Sequence, residues 1–79
     1  MKFKVGNRVK LKPRLYSDSS YNPFWGGSSG KVVGTITSIG PDFYYQIQLK
    51  WDNGEINIYK ESDLELIEPN LQLNLFKEV

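Results

Sequence analysis

A chain of 79 residues, 39% hydrophobic and with a formal net charge of +1, predicts one small domain with a limited core and no length for a second. Cysteine and histidine are both absent, which removes disulfides, thiolate metal sites, the commonest general base and the usual nucleophile constellations. The expectation is therefore a non-enzymatic protein that uses no metal or cofactor.

The start of the chain, Met1-Lys2-Phe3-Lys4-Val5, lacks the apolar run of a signal peptide, and no segment approaches the roughly 20 apolar residues that cross a bilayer. A soluble, cytoplasmic protein with no membrane partner is expected. Charge is unevenly spread. Lys2, Lys4, Arg8, Lys10, Lys12, Arg14 and Lys31 face only Asp18 in the first part. Beyond them Lys50, Lys60 and Lys77 face Asp42, Asp52, Glu55, Glu61, Asp63, Glu65, Glu68 and Glu78. Two arrangements are open: opposed surface patches, with Arg8, Lys10, Lys12, Arg14 and Lys31 suited to phosphate contact, or mutual pairing of the two halves within the fold.

Residues 5 to 12 begin the chain order of elements. Val9 and Leu11 alternate with Arg8, Lys10 and Lys12 after a Gly-Asn turn, which predicts a strand with one buried face. Pro13 ends it. Residues 13 to 30 form a long irregular loop that carries Tyr16, Tyr21, Phe24 and Trp25 among serines, Pro23, Gly26, Gly27 and Gly30. Long loops in small domains are frequently functional.

The segment from Lys31 to Ile39 is rich in β-branched residues and stops at Gly40-Pro41-Asp42, a strand closed by a turn. Tyr45, Ile47, Leu49 and Trp51 then share one strand face, with Tyr44, Gln46, Gln48 and Lys50 on the other. Asp52-Asn53-Gly54 supplies residues that tolerate positive φ, predicting a tight hairpin whose return strand runs from Glu55 to Tyr59. Ser62-Asp63 reads as a short turn, and Leu64 to Ile67 as a last short strand before Pro69.

Short strands with close turns and no sustained 3.6-residue period predict an all-β fold, a small five-stranded barrel over residues 1–68 followed by a tail over 69–79. Barrel closure is expected to remove exposed strand edges. Trp25-Gly26-Gly27, Gly30, Gly34-Thr35-Ile36, Trp51-Asp52-Asn53-Gly54, Asn57, Tyr59 and Asp63-Leu64 resemble, in order, an SH3-like barrel and in particular the Mind bomb-type domain of some large ubiquitin ligases. That resemblance implies a binding module without ubiquitin transfer, since no ligase domain accompanies it. It also implies a peptide ligand surface at one barrel end, with Tyr16, Tyr21, Phe24, Trp25, Tyr44 and Tyr59 as candidates. The alternative use of these rings is to plug the barrel ends, and this is the role expected of Trp25 and Trp51, the largest side chains available to a small core.

The tail holds Gln72-Leu73-Asn74-Leu75-Phe76, which resembles the peptide by which bacterial replication and repair proteins bind the DNA sliding clamp. Gln72 offers an amide donor and acceptor, and Leu75 with Phe76 an aliphatic and aromatic anchor for one apolar pocket. Asn74 departs from the serine or aspartate usual at the third position but stays short and polar. A competing reading is a final strand, since Leu71, Leu73 and Leu75 alternate with Gln72 and Asn74; it leaves Phe76 on the polar face.

Three functions therefore stand open: docking on the bacterial DNA sliding clamp as adaptor or inhibitor, nucleic-acid binding through the basic first strand, and peptide binding through the aromatic loop. The absence of catalytic equipment is compatible with a phage or mobile-element protein. The oligomeric state is not legible.

Overall fold

Residues 3–13, 15–41 and 46–67 are described by the computed structural model. Alternation dictates the strands. β1 (Arg8–Leu11) turns Val9 and Leu11 inward. β3 (Ile47–Trp51), which follows β2 (Gly34–Ile39), buries Ile47, Leu49 and Trp51 and leaves Lys50 in solvent. β4 (Ile56–Tyr59) buries Tyr59, and β5 (Leu64–Leu66) buries Leu64.

Among the described residues the five strands pair antiparallel with one another, in the order β4-β3-β2-β1-β5. The protein is thus all-β, with five strands in one sheet among the described residues. Between Ile36 and Ser38 the register of β2 against β3 shifts, so Thr37 is the extra residue of a bulge. Its hydroxyl lies 2.9 Å from Gln48 Oε1.

The Asp52-Asn53-Gly54 turn forms as expected. Gly54 takes φ +99°, Gly54 N–H donates to the Trp51 carbonyl at 2.8 Å, and Trp51 N–H donates to the Glu55 carbonyl at 2.7 Å. A side chain at Gly54 would be strained in that left-handed conformation. Gly34 serves by closeness instead: a Cβ there would sit 3.0 Å from the Trp51 ring.

Among the described residues β4 and β5 do not pair, so the sheet is open where a closed barrel was expected. Lys60 and a 3-10 turn (Glu61–Asp63) carry the chain between them. Lys60 N–H donates to the Asp63 carboxylate at 3.3 Å, which diverts it from a strand partner. Tyr59 and Leu64, on the two outer strands of the sheet order, nevertheless belong to one core with Phe3, Val9, Leu11, Ile36, Ile47, Leu49 and Trp51. The sheet must curl for both margins to face that core.

The margin of β4 that no strand pairs with among the described residues is protected by side chains. Because Trp51 bonds Glu55, the N–H groups of Ile56, Ile58 and Lys60 turn away from β3. Asn57 Oδ1 accepts the Ile58 N–H at 2.9 Å and Asp63 accepts that of Lys60. Two of the groups that would recruit a foreign strand are thereby occupied, a substitute for the edge removal that closure would have provided.

Candidate functional site

The long loop is held at several points. Pro23 is fully buried, Phe24 packs against the core, and Leu11 forms a bridge with Phe24 beside β1. Tyr59 provides the central latch. Its hydroxyl accepts the Trp51 indole N–H at 3.1 Å and lies 2.5 Å from Asn22 Oδ1 and 2.7 Å from the Tyr21 carbonyl oxygen, either of which takes its single proton. Burial pushes the Tyr59 phenol above its ordinary pKa. Asn53 Nδ2 donates to the Ser20 carbonyl at 3.2 Å, tying the hairpin tip to the same loop.

Asp18 organises the distal half. Its carboxylate accepts the Phe24 N–H at 3.2 Å, the Ser28 hydroxyl at 2.8 Å and the Ser28 N–H. These donors, the Ser28 hydroxyl foremost, hold the Asp18 carboxyl below its usual range. Inside that frame Gly27 N–H donates to the Phe24 carbonyl at 3.1 Å, Gly26 N–H to the Gly30 carbonyl at 3.0 Å and Gly30 N–H to the Gly27 carbonyl at 2.8 Å. The segment that carries Trp25 is therefore a set of fixed turns.

The candidate ligand residues separate sharply in this frame. Tyr21 is exposed. Trp25, expected to plug an end of the fold, is 38% exposed. The reason is the Leu11–Phe24 bridge, which turns Phe24 inward and the next residue outward. Tyr16 is half-buried, donates to Asp63 at 2.8 Å and meets Tyr59 edge-on at 6.0 Å. Asp63, only 4% exposed, spends its carboxylate on Tyr16 and Lys60. Tyr59, expected on a ligand surface, is buried as the latch. Tyr44 lies outside the described residues.

The basic residues follow the pairing alternative in part. Arg8 makes a bidentate pair with Asp52, at 2.8 and 2.7 Å, and donates to Thr35 Oγ1 at 2.7 Å. The paired hydrogen bonds raise the Arg8 pKa and lower that of Asp52. Both side chains are about half exposed, so the pair contributes at most about 1 kcal/mol. Arg8 is consequently spent as a phosphate contact.

Lys10 meets Glu65 more loosely, at 3.5 Å. Its ammonium also lies 5.2 Å from the Trp25 ring centroid, and that of Lys31 lies 5.9 Å from it. Lys31 has no ion-pair partner among the described residues. Lys12 continues the same outer row of β1. Arg14 and the pentapeptide Gln72, Leu73, Asn74, Leu75, Phe76 lie outside the described residues.

An open depression of about 490 Å³ on the outer side of β2 and β3 is lined by Thr35, Thr37, Lys50 and Asp52 among others. Its carboxylate is already committed to Arg8. Among the described residues no metal-ligating cluster of His, Cys, Asp or Glu occurs, and no helix is long and apolar enough to cross a membrane.

Comparison of the chain with family models, curated proteins and solved structures finds no match.

Proposed function

We propose that this chain is a non-enzymatic protein-binding module whose C-terminal pentapeptide, Gln72 to Phe76, docks on the bacterial DNA sliding clamp. The carrying observation is the peptide itself: a glutamine, an aliphatic residue, a short polar residue, then leucine and phenylalanine together. A side chain pair such as Leu75 and Phe76 concentrates binding energy in one apolar pocket, so a short segment needs little area. The body supports this reading, because the described residues already supply a contiguous core and five paired strands. Occupying the clamp groove excludes a polymerase peptide from it, which makes the module a brake; a ligand on the body would make it an adaptor.

Calorimetry with purified bacterial sliding clamp tests the proposal, using the full chain and a version truncated after Pro69, with thermal melts of both. Binding that disappears on truncation while the melt is unchanged is the expected result. Absence of binding by the full chain, with a large fall in melting temperature on truncation, would make the tail a strand of the body and overturn the proposal. Leu75→Ala combined with Phe76→Ala repeats the test without shortening the chain.

A further inference from the structure

We propose a second site, on the body itself: Trp25 with Lys10 and Lys31 forms a stacking platform for single-stranded nucleic acid. The site is separate from the clamp peptide and needs no clamp to be tested.

Three observations converge on it. First, Trp25 is exposed although it is one of the two largest side chains in a domain short of core, and the loop that presents it is fixed. Asp18 gathers the Phe24 and Ser28 N–H groups, and Asn22 with the Tyr21 carbonyl is held by Tyr59. A ring on a fixed support loses little entropy when a flat partner stacks on it. Second, two ammonium groups approach that ring, and one of them, Lys31, has no carboxylate partner among the described residues. Third, Lys12 extends the row from Lys10 along the outer side of β1, which gives the backbone of a strand a direction in which to run.

The magnitudes favour exchange of the lysines for a base. An exposed cation–π contact is worth about 0.5–1 kcal/mol, whereas stacking of a nucleobase on an aromatic side chain is worth about 1–3 kcal/mol. At 5.2 and 5.9 Å the ammonium groups sit at the outer range of cation–π contact. Swinging either lysine from the ring to a flanking phosphate keeps its charge satisfied and clears a face for the base. An aromatic flanked by cations fits a ligand that alternates flat rings with negative charges, and single strands have that repeat. Arg8 takes no part, because Asp52 already holds it. With so few free cations the affinity is modest and its salt slope shallow, so binding is read at low salt.

The test is a titration of the full-length protein into a fluorescein-labelled oligothymidylate of about a dozen nucleotides, a span within the usual single-strand site sizes. It is done at several salt concentrations and followed by anisotropy. Expected are binding at low salt, a loss of about tenfold in Trp25→Ala, and a salt slope that falls by about 0.7 in Lys31→Gln, the value of one phosphate contact on a single strand. As a readout that needs no variant, the oligonucleotide should shift the indole N–H resonance of Trp25 and leave that of Trp51 in place. No binding at low salt overturns the proposal. So does equal binding of a polyglutamate peptide that is insensitive to Trp25→Ala, which would make the patch a general anion surface.

Discussion

The two tryptophans show how differently one small sheet uses the same side chain. Trp51 ends β3 at an inward position of its alternation, is 1% exposed and gives its indole N–H to Tyr59. Trp25 follows Phe24, the loop residue bridged to β1, at a position that faces out, and the ammonium groups of Lys10 and Lys31 approach its ring. Both neighbourhoods are polar and turn-rich, so residue type does not separate them. What separates them is the parity of the position relative to the core, and whether the polar atoms of the neighbourhood are satisfied inside or outside the fold.

Breaking the inner member should cost the most. Trp51→Ala removes the largest core side chain, opens a cavity under Gly34 and is expected to cost about 3–5 kcal/mol, enough to unfold much of a domain this small; urea titration followed by circular dichroism measures it. Tyr59→Phe keeps the ring and its 5.8 Å edge contact with Trp51 but leaves the indole N–H and Asn22 without their shared partner. About 1–3 kcal/mol should be lost, with the loop exchanging amide protons faster than the sheet. Gly34→Ala forces a Cβ against the Trp51 ring and is expected to cost about 1–3 kcal/mol.

Asp18 sharpens the comparison through pH. Its folded pKa lies below the unfolded value of about 3.9, so its contribution is complete above the unfolded value and is lost as pH falls through the lowered one. On acidification the amides of residues 24–29 should lose protection before the Trp51 indole signal moves, and Asp18→Asn should weaken the same amides at neutral pH. Simultaneous loss of both signals would show that the loop and the core unfold as one unit. The smallest effect belongs to Trp25→Ala, whose melting transition should stay within about 0.5 kcal/mol of the parent while oligonucleotide binding falls.

Local pattern made much of this architecture readable. The alternation of Ile47, Leu49 and Trp51, the Asp52-Asn53-Gly54 turn and the break at Pro13 each lie within one short window, and each element formed near its expected bounds. The candidate site was readable only in composition. Tyr16, Tyr21, Phe24, Trp25 and Tyr59 stood out as aromatics, yet their division into surface, half-buried contact and buried latch depends on partners far along the chain: Tyr16 on Asp63, Tyr59 on Asn22. The role of Asp18 had one sequence clue, its position as the only acid in a basic stretch, and that clue says nothing of the N–H groups it gathers.

The sequence alone determined the all-β class, the order of strands along the chain and the segregation of charge, because each depends on residue type and spacing within a few positions. The tertiary structure decided the rest. It paired Arg8 with Asp52, turned Trp25 out and Tyr59 in, and, among the described residues, left β4 and β5 unpaired with Asn57 and Asp63 guarding the β4 margin. Those outcomes rest on which side chains the curled sheet brings within hydrogen-bond reach, and no local pattern of a chain carries that information.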